Sequence, residues 1–372
     1  MRKLGFGLMR LPITDVENRA SINQTLVNEM VDYFLDRGFT YFDTAYPYHQ
    51  GMSEVAARKA LVERRPRESF TLTNKMPTFL VTGSEDYQRY FDEQIERCGV
   101  EFFDYYLLHN LGAKNDANTL KHGGFEFVSK LKAEGKVRHL GFSFHDKAEL
   151  LDRILTDHPE MEYVQLQINY IDWDNDSIES RKCYEVATKH GKPVIVMEPV
   201  KGGSLAHLPE EAEKLFKACR PDMSMVSWAV RFAASLDNAF VVLSGMSSLE
   251  QVVDNTSYMQ EMASLSDDEN EAIGKAVEII NSSSAIPCTA CQYCVDGCPQ
   301  EIPIPKYFAL YNNQERFGLT AAHANYYMNL NQDSGKASDC IECGQCEQSC
   351  PQHIDIIEQL TKVATVFDAA VW

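Results

Sequence analysis

The chain has 372 residues, 44% of them hydrophobic and 24% charged, an ordinary composition for a globular protein and room for two domains or a large barrel plus a module. Its formal net charge of −19 argues against nucleic acid and anionic membrane surfaces as partners, while leaving room for a local basic patch that meets a redox partner. Met1 to Pro12 lacks the apolar core of a signal peptide, and the apolar run Ala229 to Met246 is broken by Arg231 and Asp237; no membrane span and a cytoplasmic location are expected.

From Leu4 to about Tyr258, short β-rich runs alternate with amphipathic ones. Predicted strands are Leu4–Leu8, Thr40–Asp43, Phe70–Lys75, Phe103–His109, Val137–Phe142, Tyr163–Ile168, Pro193–Met197 and Phe240–Ser244. Helical runs lie between them. Ile22 to Arg37 keeps Ile22, Leu26, Met30, Tyr33 and Phe34 on one face; Glu85 to Cys98 and Ile178 to His190 are others. Eight strand–helix pairs predict an α/β fold of the (β/α)8 barrel type, with a doubly wound open sheet as the alternative. No G-x-G-x-x-G follows the first strand, which lowers that alternative. A barrel keeps its chemistry at the C-terminal ends of its strands. Asp43, Lys75 and His109 end the second, third and fourth strands, and Tyr48 follows in the loop after the second. Trp173, Tyr170 and Phe79, on loops after strands, are candidates for an apolar substrate wall or for packing. The serines and proline of residues 281–287 suggest a linker closing a barrel domain of residues 1–280.

Residues 288–372 carry a doubled cysteine run. One copy is Cys288, Cys291, Cys294 and Cys298 before Pro299; the other is Cys340, Cys343, Cys346 and Cys350 before Pro351. Each resembles the run by which bacterial ferredoxins hold 4Fe–4S clusters. Thiolates also suit zinc, but zinc ribbons pair Cys-x2-Cys units without the third cysteine and terminal Cys-Pro. Two identical four-cysteine runs are a poor disulfide framework. Two 4Fe–4S clusters are therefore expected. The ferredoxin resemblance implies crossed ligation: Cys288, Cys291, Cys294 and Cys350 for one cluster, Cys340, Cys343, Cys346 and Cys298 for the other. The segment between the runs is long, with helical stretches at Lys306–Glu315 and Thr320–Leu330, and is similar to the helical ferredoxin modules of larger oxidoreductases. Cys98, Cys183 and Cys219 lie on helical patterns and read as buried structural thiols.

Several stretches of the first two-thirds resemble the aldo-keto reductase family. They are Gly5 to Pro12, Tyr41 to Tyr48 with Gly51-Met52-Ser53-Glu54, Thr73-Asn74-Lys75, and Asp104 to His109. The resemblance spans Leu4 to about Asn255 and implies a catalytic tetrad of Asp43, Tyr48, Lys75 and His109. Reducing a carbonyl needs a hydride on carbon and a proton on oxygen. The expectation is that Lys75, held by Asp43, lowers the pKa of Tyr48 so that it serves as acid or base, while His109 orients the carbonyl. The substrate implied is a small carbonyl compound or alcohol, and the cofactor NAD(P)H.

The dinucleotide site matches the family less closely. Ser143 is followed by Phe144 where the family often has Ser-Asn, and Gln165 is the best match for the family glutamine, with Gln167 close by. Met197-Glu198-Pro199 occupies the place of a stacking aromatic. The loop from Gly245 through Gln251 to Asn255 has the family's shape, yet lacks the Arg or Lys that pairs with a 2′-phosphate. Nicotinamide passes two electrons together, iron–sulfur clusters one at a time, and a flavin is the usual converter; no flavin motif is present. Three readings follow: a hydride-transferring reductase with structural or regulatory clusters, a reductase fed through its clusters by a ferredoxin-like partner, with or without flavin, and an electron-transfer subunit with a vestigial barrel site.

Overall fold

The computed structural model describes residues 2–15, 18–176, 178–282, 285–286, 288, 294–295, 297–318, 320–350 and 354–368. Cys291 and parts of the linker thus lie outside the described residues. Two compact units emerge: Met1–Lys201 with Val226–Ser266, and Gly202–Met225 with Asp267–Trp372.

The first unit contains eight parallel strands closed into a barrel in sequence order: β1 (Leu4–Gly7), β2 (Tyr41–Asp43), β3 (Thr71–Met76), β4 (Phe103–Leu111), β5 (Val137–Phe144), β6 (Tyr163–Gln167), β7 (Val194–Met197) and β8 (Ala239–Gly245). Every strand predicted from the sequence is present, within a few residues of its expected ends. The open-sheet alternative falls because β1 pairs with β8. The barrel interior is packed by Tyr41, Leu107, Tyr163, Ile195, Val241 and Leu243. Its two large tyrosines sit against glycines of neighbouring strands, Tyr41 against Gly5 and Tyr163 against Gly141. A Cβ on Gly141 would stand 2.5 Å from the Tyr163 carbonyl oxygen.

The helix Glu85–Cys98 shows how sequence sets an element's limits. Asp86 accepts from the backbone N–H groups of Thr82 and Gly83, ahead of the first turn. At the other end Gly99 takes φ +67°, and its N–H reaches Ile95 O. Glycine adopts this left-handed closure without the penalty of a Cβ. Tyr87, Tyr90, Phe91 and Cys98 form its buried face.

The second unit is helical among its described residues. Helix Asp267–Ser282 packs on helix Glu210–Cys219, with Arg220 and Glu269 paired at 3.1 Å. Asn281 and Ser282, expected in the linker, extend that helix. Further on, helices Ile304–Phe317, Ala321–Leu330 and Ile356–Phe367 enclose a core of Ile302, Ile304, Tyr307, Phe308, Tyr327, Leu360, Val363 and Phe367. Tyr307 and Tyr327 meet at 4.8 Å with their rings tilted by 44°, and Tyr327 stacks on Phe367 at 5.2 Å. Their hydroxyls are satisfied: Tyr307 donates to Gly335 O, and Tyr327 donates to Asp368 while accepting from Ala337 N–H. Asn312 grips the backbone of Ile286 at both N–H and C=O, 2.8 and 2.7 Å, just before the first cysteine run. No helix among the described residues is long and apolar enough to cross a membrane.

Candidate active site and cluster sites

The C-terminal ends of β2, β3 and β4 bring Asp43, Lys75 and His109 to one mouth of the barrel, with Tyr48 in the turn after β2. Lys75 is 1% exposed and Asp43 2%. The Lys75 ammonium donates to Asp43 Oδ1 and, at 2.7 Å, to the carbonyl of Thr44. Its Nζ lies 4.7 Å from the centre of the Tyr48 ring. The His109 ring stands edge-on to Tyr48 at 6.1 Å. Burial opposes the charge of Lys75, but Asp43 and Tyr48 outweigh it and hold the ammonium above its usual pKa.

Tyr48 departs from the sequence expectation. Burial, the largest influence, pushes its phenol above the ordinary value; Lys75 pulls it down, and Asp43 and Glu198 push it up. The lysine acts in the expected direction, but its field is offset by its own aspartate partner. His109 is driven well below its usual value by burial, then by Lys75 and His145, so its ring is neutral near pH 7.

The site rests on a second layer of polar contacts. Gln94 donates to Lys75 O at 2.9 Å and accepts from Tyr106. Asn74 donates to buried Glu54 at 2.8 Å, and Arg97 joins Glu54, Glu93 and the Tyr46 hydroxyl behind the catalytic turn. Tyr46 points into this network and donates to Glu93 at 2.7 Å, which separates it from Tyr48. A charged cleft lined by Arg58, Glu63, Glu93 and Arg97 lies on this outer side, away from the tetrad.

Of the three aromatic wall candidates, Phe79 alone contacts a tetrad ring, lying 41% exposed against His109 at 5.6 Å. Tyr170 is buried, and Trp173 packs on Tyr184 and Phe232.

The dinucleotide candidates divide. Gln165 is buried beside Asp43, and its Oε1 has no hydrogen-bond partner among the described residues. Gln167 is committed elsewhere, donating to Asp172 at 2.9 Å. Ser143 Oγ accepts from Asn110 N–H at 2.8 Å, leaving its own proton available to donate. A nicotinamide carboxamide offers both a donor for Gln165 and an acceptor for Ser143, so these two residues fit it. Met197 is half-buried at the end of β7. Gly245 and Gln251 lie on an exposed rim, where the Gln251 side chain accepts from Ser247 N–H. Asn255 is inward: it donates to Ser244 Oγ and accepts from Tyr258, both amide ends engaged. It ties β8 to the following helix.

Sequence reasoning passed over two residues at this mouth. Glu198 is exposed at φ +55° with its charge acting on Tyr48; non-glycine residues in that conformation concentrate at functional sites. His145, two residues after Ser143, acts on His109. Position after a strand end was the available signal for both.

In the second unit, Cys298 from the first run lines one pocket with Cys340, Cys343 and Cys346 from the second, closed by Ile302, Ile304, Ile341, Ile357 and Leu360. These four are free thiols. Cys288, Cys294 and Cys350 meet the same core; Cys291, their expected companion, is outside the described residues. Thiol donors with apolar walls suit a cluster better than a hydrated divalent ion, although among the described residues no three of these side chains stand close enough to hold a metal as they are placed. Cys98 and Cys183 are buried as expected, whereas Cys219 is half-exposed.

Residues 3–278 match the model of the aldo/keto reductase family, and residues 287–354 that of a 4Fe-4S dicluster domain. The chain is 28% identical over 237 residues to probable aldo-keto reductase 1 of Glycine max, a match taking 58% of this chain and 65% of that one, so it spans just under two-thirds of that relative's length. Among solved structures, an aldo-keto reductase from Bacillus halodurans in its holo form aligns with TM-score 0.60 at 24% identity, over 74% of this chain and 91% of that one. An aldo/keto reductase from Klebsiella pneumoniae in complex with NADP and acetate aligns with TM-score 0.59 at 19% identity, over 73% and 90%. At these identities the likeness to solved structures is one of fold.

Proposed function

We propose that this chain, which belongs to the aldo/keto reductase family and carries a 4Fe-4S dicluster domain, reduces a small carbonyl compound to an alcohol with a nicotinamide cofactor. The observation that carries this reading is the buried Lys75–Asp43 pair beneath Tyr48, with neutral His109 across the mouth.

Bound nicotinamide supplies the hydride. The Tyr48 phenol gives its proton to the substrate oxygen, and Lys75 stabilises the phenolate left behind. His109, neutral, holds that oxygen with a ring N–H. A phenol held above its ordinary pKa stays protonated at neutral pH, as the acid of reduction must be. Gln165 and Ser143 would hold the carboxamide, and Phe79 would form one apolar wall. The NADP complex of the Klebsiella relative supports a nicotinamide here; the rim at Gly245 to Gln251 leaves the choice between NADH and NADPH to experiment.

Crossed ligation, with Cys298 joining Cys340, Cys343 and Cys346, is supported by the pocket they share. Such clusters supply one-electron transfer. A second reading, a reductase fed through its clusters, is favoured by one feature: Met197 and Glu198 stand where the family's stacking ring would be. An anaerobic titration decides. Oxidation of NADH or NADPH on adding an aldehyde supports hydride transfer. Flavin peaks, or turnover that needs a one-electron donor and ignores both dinucleotides, favours the second reading.

A further inference from the structure

We propose that His49 is a positioning residue for Tyr48: a neutral imidazole that clasps the segment after β1 to the catalytic turn and releases it on protonation. The inference rests on the reading of Tyr48 as proton donor.

His49 follows Tyr48 directly. It and Gln50 take left-handed backbone angles, φ +51° and +57°, a region that residues other than glycine enter uncommonly, Asn, Asp and His most often, and seldom in succession. The turn therefore needs an outside hold, and the His49 ring supplies one at both nitrogens. Nε2 accepts from the backbone N–H of Leu11 at 3.1 Å. Nδ1 meets the carbonyl of Arg19 at 2.7 Å. An amide can only donate and a carbonyl can only accept, so the ring carries its proton on Nδ1 and is uncharged. On a charged ring Nε2 becomes a donor, so the Leu11 bond is lost and the Met9 carbonyl is the partner left to that nitrogen.

The clasped segment reaches other parts of the mouth. Ser53, in the helix after the turn, donates to Leu8 O at 3.0 Å and meets Thr44 at 2.8 Å. Ser247, in the loop after β8, donates to Arg10 O at 2.6 Å. One strip of chain thus runs between the rim at Gly245 and the Tyr48 turn. His49 is its hold on Tyr48.

Burial, and after it the Arg19 guanidinium, lower the pKa of His49 below 6.5; the carbonyls of Arg19 and Met9 pull the other way. A base whose folded value lies below its unfolded one contributes its full stability above about 6.5 and loses it as pH falls below that value. The clasp is accordingly closed at neutral pH and opens on the acid side.

The test pairs two variants with a readout independent of turnover. His49→Gln retains an acceptor and a donor, on a side chain that does not titrate; His49→Leu retains neither. For the natural protein, kcat should fall on the acid side with little change in KM, and hydrogen exchange at the Leu11 amide should accelerate in the same range. His49→Gln should hold neutral-pH kcat and remove the acid limb. His49→Leu should lower kcat roughly 10- to 100-fold at all pH, the usual effect of an ångström-scale misplacement. Leu11 exchange that ignores pH, or an acid limb that survives in His49→Gln, overturns the proposal. An active Tyr48→Phe would instead overturn the assignment of Tyr48, and Leu11 exchange would still judge the clasp.

Discussion

In the barrel, the polar groups of the active site answer one another: Lys75 meets Asp43 and the Thr44 carbonyl, Glu54 meets Asn74 and Arg97, and Gln94 holds the Lys75 backbone. In the cluster unit, the chemically active side chains belong to the core itself. Cys294 and Cys346 are buried in it, and Cys288, Cys298, Cys340 and Cys350 pack against it. The barrel can assemble its site from protein alone, whereas the cysteine region depends for its crosslinks on what the thiols bind. Stability in one place is expected to follow from the sequence, and in the other from sequence plus bound iron.

The largest expected effect tests that contrast. Anaerobic removal of iron should abolish amide protection in helices Ile304–Phe317, Ala321–Leu330 and Ile356–Phe367, because metal binding to such modules is itself folding free energy, on the order of 10 kcal/mol, while β1–β8 stay protected. Equal survival of both regions would end the contrast. Before removal, iron and sulfide assays should find about eight of each per chain, and Cys298→Ser should leave about half. Zinc in place of iron would refute the cluster reading.

Within the barrel, Tyr48→Phe should lower turnover by roughly 10²–10⁴-fold with dinucleotide affinity little changed, as a general acid contributes; steady-state kinetics and fluorescence titration measure the two. The same tyrosine sets the alkaline limb of reduction. Its folded pKa is raised, so the acid form persists and kcat should hold level until pH passes the ordinary tyrosine value of about 10. Lys75→Met should destabilise the barrel by about 3–5 kcal/mol in urea titration, because Asp43 is left buried and unpaired. Adding Asp43→Asn should recover much of that loss and none of the turnover.

The smallest expected effect concerns Tyr46. Removing its hydroxyl in Tyr46→Phe loses the bond to Glu93, about 1 kcal/mol of stability, and should leave turnover within a few-fold. A dead Tyr46→Phe beside an active Tyr48→Phe would reassign the acid.

The eight strands were legible because each is a short run of β-branched and aromatic residues bounded by polar ones, and the tetrad because strand ends are where a barrel exposes side chains. The sign of the Tyr48 shift was not legible. It depends on burial outweighing Lys75, with Asp43 offsetting part of the lysine's pull, both products of the closed barrel. The position of Asn255 after β8 is visible in sequence, while its two internal bonds to Ser244 and Tyr258 are not. Gln165 and Gln167 differ by two residues, and strand alternation alone puts both on one face. What separates them is Asp172, brought in by the loop beyond β6.

The Lys75 ammonium has three protons to give, and two are already spent on Asp43 and the Thr44 carbonyl. The third is directed to the Tyr48 hydroxyl, whose ring centre lies 4.7 Å away. The position is therefore tetrahedral in its demands: three partners around a point charge. A guanidinium, flat and with five donors, would bring more protons than this enclosure has acceptors and in the wrong plane. At residue 75, arginine is a foreign shape with a familiar charge.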